Sequence, residues 1–343
     1  MKLVSYLEKD EERLGIYFEG FIYNLSENAH SLGEGLLPDK MADFLWLGDK
    51  AMNIARAVER KIAEKDSRII PSHADIKNLI APVPHPTSCR DGYAFRQHVE
   101  AARRNRKVPM IAEFDQYPVF YFTNHNAVQG PGDITCMPDH FEKLDFELES
   151  CIVIGKKGRN IRASEADRYI AGFMIMNDLS ARTLQMEEML LNLGPAKGKD
   201  FSTAVGPWLV TPDELEHLLV PPPSGHTGNA YNLKMSCKVN DVVVSEGNMK
   251  DMNWTFAEII ERASYGVDLL PGDIIGSGTV GTGCFLELNG TGLLNDPSYK
   301  VQWLKEGDVV EMNIDHLGTL KNTIRKEKTD YSIRALNKVA EKI

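Results

Sequence analysis

The sequence predicts an α+β fold dominated by β-structure, with a small N-terminal β/helical unit ahead of a larger β-rich domain. Three observations support this. Short alternating apolar–polar runs, punctuated by Pro and Gly, fill the chain from "LIAPVPHPTSCRDGY" to about Lys326. One long apolar series at helical spacing lies near the N-terminus. In "EKLDFELESCIVIG", Asp145, Glu147 and Glu149 alternate with Leu144, Phe146 and Leu148 before an apolar tail, the period of a strand. A strand that aims carboxylates into the protein needs partners for them, because an unpaired buried charge is costly.

Taken in order, "LVSYLE" and "RLGIYFEGFIYNL" read as strands, with Glu19-Gly20 as a hairpin turn. "DKMADFLWLGDKAMNIARAVERKIAEK" reads as one helix: Met41, Phe44, Leu45, Met52, Ala55, Val58 and Ile62 recur at helical spacing, and Asp39 or Asp43 is placed to cap it. The style then changes, which puts a boundary near residues 65–80 and divides the chain into units 1–75 and 76–330. The tail "DYSIRALNKVAEKI" (331–343) reads as a charged amphipathic helix for packing or oligomerisation. Within the larger unit, "AFRQHVEAARRNRK" is a short basic helix or a connection. "SEADRYIAGFMIMNDLS" begins as a helix capped by Ser164 and ends as a strand. "PPPSGHTGNAYNL" is a loop, and "LKMSCKVNDVVVSEGN" a hairpin about Asn240-Asp241. "TFAEIIERASYGVDL" is a helix capped by Thr255 with Gly266 near its end, while "GDIIGSGTVGTGCFLEL" and "GDVVEMNIDHLGTLKNTI" read as strands closing the sheet.

With 343 residues, 43% of them hydrophobic, the chain is long enough for a sizeable core. A net charge of −10 speaks against nucleic acid or an anionic membrane as the main partner. No apolar run reaches membrane-spanning length and the start lacks a signal-peptide core, so a cytoplasmic protein is expected. Cys89, Cys136, Cys151, Cys237 and Cys284 are scattered singly, as reduced thiols would be, without zinc-site spacing.

Asp178 ends the apolar run "AGFMIM", with Arg182 and Gln185 four and seven residues on; the plain reading is a capped helix with an i,i+4 ion pair. Asp91 and His98 sit in "CRDGYAFRQHVE", and Lys199 and Thr203 in "GPAKGKDFSTAVGP", which is not a phosphate-binding P-loop. The glycines of "GSGTVGTG" do not make a dinucleotide fingerprint, since a strand is expected after them. Oxygen ligands without Cys or His suit a hard cation, and Glu147, Glu149, Asp178 and Asp91 would bring four charges to it, with Arg182 and Lys199 balancing the rest.

The strings "RDGYAFRQH", "LDFELE", "MNDLSARTLQ", "LGPAKGKDFSTAVGPW", "SGTVGTG" and "FLEL", in this order, resemble the motifs of the fumarylacetoacetate hydrolase family. The resemblance implies a mixed β-roll catalytic domain of the fumarylacetoacetase type, a homodimer, and a divalent cation (Mg²⁺ or Ca²⁺, with Mn²⁺ a third candidate) without an organic cofactor. It implies Asp91, Glu147, Glu149 and Asp178 as metal ligands and Thr203 beside the metal. It further implies His98, oriented by Glu287, as the base that activates water, Arg182, Gln185 and Lys199 as substrate-binding or oxyanion groups, and Tyr93 and Thr279 as substrate contacts. The expected activity is hydrolysis of a carbon–carbon bond in a small anionic β-diketo acid, fumarylacetoacetate to fumarate and acetoacetate in tyrosine catabolism. The alternatives are an acylpyruvate hydrolase, an oxaloacetate decarboxylase, a 2-oxo-acid dehydratase or lyase, and a non-catalytic metal-stabilised scaffold.

Overall fold

The computed structural model describes residues 1–336. The N-terminal strands β1 (Lys2–Glu8), β2 (Glu11–Phe18) and β3 (Phe21–Asn24) form a meander. Its second turn is the expected Glu19-Gly20, both at positive φ (46° and 90°), the turn geometry that matches strand twist. Next come α1 (Leu25–Leu32), α2 (Met41–Trp46) and α3 (Asp49–Ala63). Helix α1, capped by Asn24, was not anticipated. The single helix expected over the next stretch is two. Gly48, at φ 58° and ψ −138°, takes a conformation that stops one helix and starts the other. Neither expected cap operates: the residue before α2 is Lys40, without a side-chain cap bond, and Asp39 instead accepts from the Ser26 hydroxyl.

The meander does not stand apart. Strand β1 pairs antiparallel with a distant strand (Lys2 opposite Val210), so it extends the sheet built by the rest of the chain. That sheet adds β4 (Cys89–Gly92), β5 (Phe120–Thr123), β6 (Val128–Gln129), then, after β7 (Gly132–Cys136) of a second sheet, β8 (Leu148–Ile154), β9 (Ile170–Asp178) and β10 (Thr203–Val210). The second sheet continues with β11 (Lys234–Val239) and β12 (Val242–Asn248), and β13 (Ile274–Gly276) returns to the first. Strands β14 (Val309–Ile314) and β15 (Gly318–Lys326) complete the second. The first sheet runs β3-β2-β1-β10-β9-β8-β13-β4-β5, with β6 beside β10; the second runs β12-β11-β14-β15-β7. The β11–β12 hairpin turns at Asn240-Asp241 as expected, both at positive φ. The expected boundary at residues 65–80 falls between α3 and β4, where one short turn at Ile76–Asn78 interrupts irregular chain.

Strands β8 and β9 are buried on both faces. Leu148, Ile152, Ile154, Phe173 and Ile175 join a core with Met235, Val310, Met312 and Leu320 of the second sheet. Cys151, Val153, Met174 and Met176 join another with Phe44, Ala55, Val58 and Ile62 of α2 and α3. The first sheet is thus the middle layer of three. Around it lie α4 (Arg96–Asn105), α5 (Ala163–Ala166), α6 (Arg182–Met189), α7 (Phe256–Ser264) and α8 (Phe285–Asn295). Thr255 caps α7 in a capping box with Glu258. Ser164 caps nothing; it lies inside α5, behind Arg162. "GCFLEL" is not a strand. It opens α8, so a helix does follow "GSGTVGTG", although without the dinucleotide fingerprint. Of the expected C-terminal helix, a single 3-10 turn at Arg334–Leu336 is seen, and residues 337–343 lie outside the described residues.

Candidate active site

Period two places the carboxylates. Asp91 lies two residues after Cys89 on β4, Glu149 two before Cys151 on β8, and Asp178 two after Met176 on β9, so each continues the face that α1–α3 cover. Past the helices that row of apolar side chains becomes a row of acids. Cross-strand register sets the acids in a staircase two residues apart: Asp91 is level with Gly276 and Cys151, Glu149 is opposite Met176, and Asp178 is opposite Thr203, two residues beyond Met176. Gly276 leaves the space in which they meet. A Cβ there would lie 2.4 Å from Asp91 Oδ1, 2.8 Å from Met176 Sδ and 3.0 Å from Glu149 Oε2. Glu147 arrives from just outside β8, where its N–H donates to the Asn177 side-chain oxygen (3.1 Å). Oxygens of Asp91, Glu147, Glu149 and Asp178 all lie within 4.8 Å of one another, and all four residues are buried.

The charges are unevenly compensated. Lys199 Nζ lies 2.5 Å from Glu147 Oε2 and 2.8 Å from Asp178 Oδ2, and Arg182 Nη2 lies 2.7 Å from Glu147 Oε1. Burial raises the Glu147 carboxyl, but Lys199 and then Arg182 outweigh it and hold the group down at about 2. Among the described residues Asp91 forms no ion pair: burial, then the Asp178 charge, push it up to about 7. Burial and neighbouring Asp91 push Glu149 well above the usual range, and burial raises Asp178 against the pull of Lys199. Asp178 Oδ1 and Thr203 Oγ1 are buried with no hydrogen-bond partner among the described residues. Surplus negative charge, an orphaned carboxylate oxygen and an all-oxygen donor set fit a hard divalent cation.

Next to this cluster is an acid–base pair. His98 and Glu287 each occupy the third position of their helix, α4 and α8, and His98 Nδ1 lies 2.6 Å from Glu287 Oε2. The other Glu287 oxygen accepts from the Thr282 N–H (2.9 Å). Thr282 holds a left-handed φ of 67°, uncommon for a β-branched residue, to present that N–H. Cys284 caps α8, its sulfur accepting from the Glu287 N–H (3.5 Å). Farther along, Asn105 donates to the Glu287 carbonyl (3.1 Å) and ties α4 to α8.

The remaining expected residues are all nearby. Thr279 donates to Glu149 Oε1 (3.4 Å), Gln185 Oε1 accepts from Arg182 Nη1 (3.0 Å), and Tyr93 stands edge-on to His98, its ring centroid 5.8 Å away. Burial pushes the Tyr93 hydroxyl up to about 12. The expected i,i+4 pair of Asp178 with Arg182 does not form, because Arg182 turns to Glu147 and Asp145 instead.

Two contributors were missed. Tyr121 on β5 donates its hydroxyl to Asp178 Oδ2, although nothing in "PVFYFT" marks it. Asp145 was visible in the opening alternation. It accepts from Arg182 Nε (2.8 Å) and from the N–H groups of Phe285 (2.8 Å) and Leu286 (3.0 Å), the first residues of α8.

Residues 87–325 match the family described as fumarylacetoacetate (FAA) hydrolase C-terminal. Oxaloacetate tautomerase Fahd2a, mitochondrial, of Rattus norvegicus is 32% identical over 295 residues, 84% of this chain and 80% of its own length. Two solved structures share the fold. Fumarylacetoacetate hydrolase from Exiguobacterium antarcticum has a TM-score of 0.68 at 21% identity, covering 95% of this chain and 100% of its own. Maleylpyruvate hydrolase from Sphingobium sp. SYK-6 has a TM-score of 0.65 at 20% identity, with the same coverage. The chain belongs to the fumarylacetoacetate hydrolase family.

Proposed function

We propose that the chain catalyses keto–enol proton transfer on a small 2-oxo dicarboxylate, with oxaloacetate as first substrate, at a divalent-cation site held by Asp91, Glu147, Glu149 and Asp178. The observation that carries this reading is the buried His98–Glu287 pair adjoining Glu147 of the carboxylate cluster. The rat relative, named an oxaloacetate tautomerase, supports the choice of substrate. When bound, the cation polarises the 2-oxo group and stabilises negative charge on its oxygen. Glu287 holds the Nδ1 proton of His98 and so leaves Nε2 as the working base. His98 takes the proton from the carbon beside the oxo group, and Glu287 stabilises the imidazolium that results. The same proton returns to oxygen or carbon according to direction. Lys199 and Arg182 set positive charge beside an anionic substrate, while Tyr93, Thr279 and Gln185 shape the pocket.

Hydrolysis of fumarylacetoacetate or an acylpyruvate is the second reading. One observation favours it: Gln185 commits its oxygen to Arg182, which leaves its amide N–H groups, with Lys199, to face a tetrahedral oxyanion. His98 would then take its proton from water. The working unit is proposed as a homodimer, on the exposed apolar run Leu190, Leu191 and Leu193 that follows α6 (80–82% exposed).

The test uses purified protein, chelated and then restored with Mg²⁺. One assay follows the ultraviolet absorbance of enol oxaloacetate against the spontaneous rate; the other follows loss of fumarylacetoacetate with fumarate formed. Metal-dependent acceleration of the first, lost in His98→Gln, supports the tautomerase. Turnover of the second alone makes the protein a hydrolase, and neither activity overturns both readings.

A further inference from the structure

One buried nucleophile beside the acid–base pair has no part in this chemistry. Cys284 Sγ, a nitrogen of His98 and an oxygen of Glu147 lie within 4.8 Å of one another, and all three residues are buried. The other cysteines, Cys89, Cys136, Cys151 and Cys237, are buried too, but among the described residues none of them belongs to such a group. A thiol, an imidazole and a carboxylate make a donor set for a borderline or soft ion, unlike the all-oxygen cluster next to it.

A second observation points the same way. His98 presents Nδ1 to Glu287 at 2.6 Å, so Nε2 is the nitrogen left for a metal. A ligating histidine nearly always has its other nitrogen on a carboxylate or carbonyl, which fixes the tautomer and raises its basicity. That orientation is already built here, and the Thr282 N–H holds the carboxylate in turn.

Charge permits a second cation. Besides the Arg90–Asp273 pair, whose charges cancel, Asp91, Asp145, Glu147, Glu149, Asp178 and Glu287 are six buried carboxylates, against Lys199 and Arg182 as buried cations. One divalent ion in the oxygen cluster still leaves two negative charges.

We propose that His98, Glu147 and Cys284 form a second, thiophilic metal site, for Zn²⁺ or Cd²⁺, which shares Glu147 with the hard-cation cluster and shuts the enzyme off when filled. Binding expels the Cys284 proton to solvent and leaves a thiolate–metal bond. It also takes the Nε2 lone pair of His98, so no base remains for proton transfer. This inhibitory consequence rests on the function proposed above, whereas the binding does not.

The probe is Cd²⁺ added to Mg²⁺-saturated protein, read by thiolate-to-cadmium charge-transfer absorbance. The wild type is expected to develop the band with saturation at one equivalent and to lose turnover in step. Cys284→Ser keeps an oxygen acceptor at the start of α8; it is expected to keep Mg²⁺-dependent turnover, show no band, and bind Cd²⁺ about 100-fold more weakly, as loss of a ligand should cost at least what loss of its supporting group does. His98→Gln, read by the band alone, is expected to bind with a similarly reduced affinity and stands in if the serine variant does not fold. No band in the wild type, a wild-type band in Cys284→Ser, or an undiminished Cd²⁺ affinity in His98→Gln overturns the site. A band with undiminished turnover overturns the inhibition alone.

Discussion

Glu287 acts through His98, and that role fixes both the size and the pattern of its loss. Glu287→Gln preserves shape and removes the charge that faces Nδ1 at 2.6 Å inside the protein. A hydrogen bond to a charged group contributes roughly 1.5–3 kcal/mol, and about 1.36 kcal/mol is a factor of ten in rate. The variant should therefore lose about 10- to 200-fold in kcat, with KM little changed because the carboxylate lies behind the base and not against substrate. His98→Gln removes the base itself and should lose roughly 10²- to 10⁴-fold. Since one residue works through the other, the double variant should be no slower than His98→Gln alone. Initial rates on the better of the two substrates, at saturating Mg²⁺, measure all three. A Glu287→Gln enzyme within twofold of wild type while His98→Gln is crippled would refute the relay, as would losses that simply multiply in the double variant.

Three further outcomes are expected. Chelator-treated protein should gain thermal stability on adding Mg²⁺, Ca²⁺ or Mn²⁺, by about 2.7 kcal/mol at a hundred times Kd. Calorimetry of Glu149→Ala should show no such gain, and an equal gain would place the ion elsewhere. His140 is buried against Phe201, accepts a bond from the Met137 N–H at 3.2 Å, and is lowered to about 4 by burial and then by the Lys197 charge. A lowered histidine leaves stability whole above about pH 6.5 and takes it away as pH falls toward about 4, by about 3 kcal/mol in total. Urea melts of wild type and His140→Gln at pH 7 and 5 should show the wild type losing more; parallel losses would clear His140. Light scattering should find twice the 38.4 kDa chain mass, and Leu191→Glu with Leu193→Glu should halve it. A wild-type monomer would end the dimer proposal.

Much of the site was legible in the sequence because its acids sit at strand ends, where "AGFMIM" stops and "SCIVIG" begins. Their order along the chain matched a known family. What stayed hidden depended on contacts between distant segments. The alternation from Leu144 to Ile154 read as one strand, yet the backbone leaves the ladder at Phe146 and Glu147, where the Asn177 side chain takes over a bond. "GCFLEL" alternates like a strand and is a helix, because Asp145, 140 residues away, accepts its first free N–H groups. The N-terminal helix broke at Gly48, where the apolar spacing carried on unbroken and only a backbone angle revealed the stop. Tyr121 could not have been found, since its partner Asp178 lies 57 residues on and nothing in "PVFYFT" marks it.

The double duty of Asp145 sets a rule for anyone wishing to redesign the substrate pocket. Arg182 is an obvious position to vary for a new acyl group, but its guanidinium is the counter-charge of a carboxylate that also anchors α8. Removing one partner of a buried ion pair costs about 3–5 kcal/mol, because the other charge stays stranded. In this protein the stranded charge would be the one that seats the helix bearing Glu287, and Glu147 would keep only Lys199 as its partner. A library that varies Arg182 alone will therefore discard good pockets along with a damaged proton relay. Varying Arg182 and Asp145 together, with Asn at 145 still accepting from one of the two α8 N–H groups, removes the stranded charge and limits the damage to the relay.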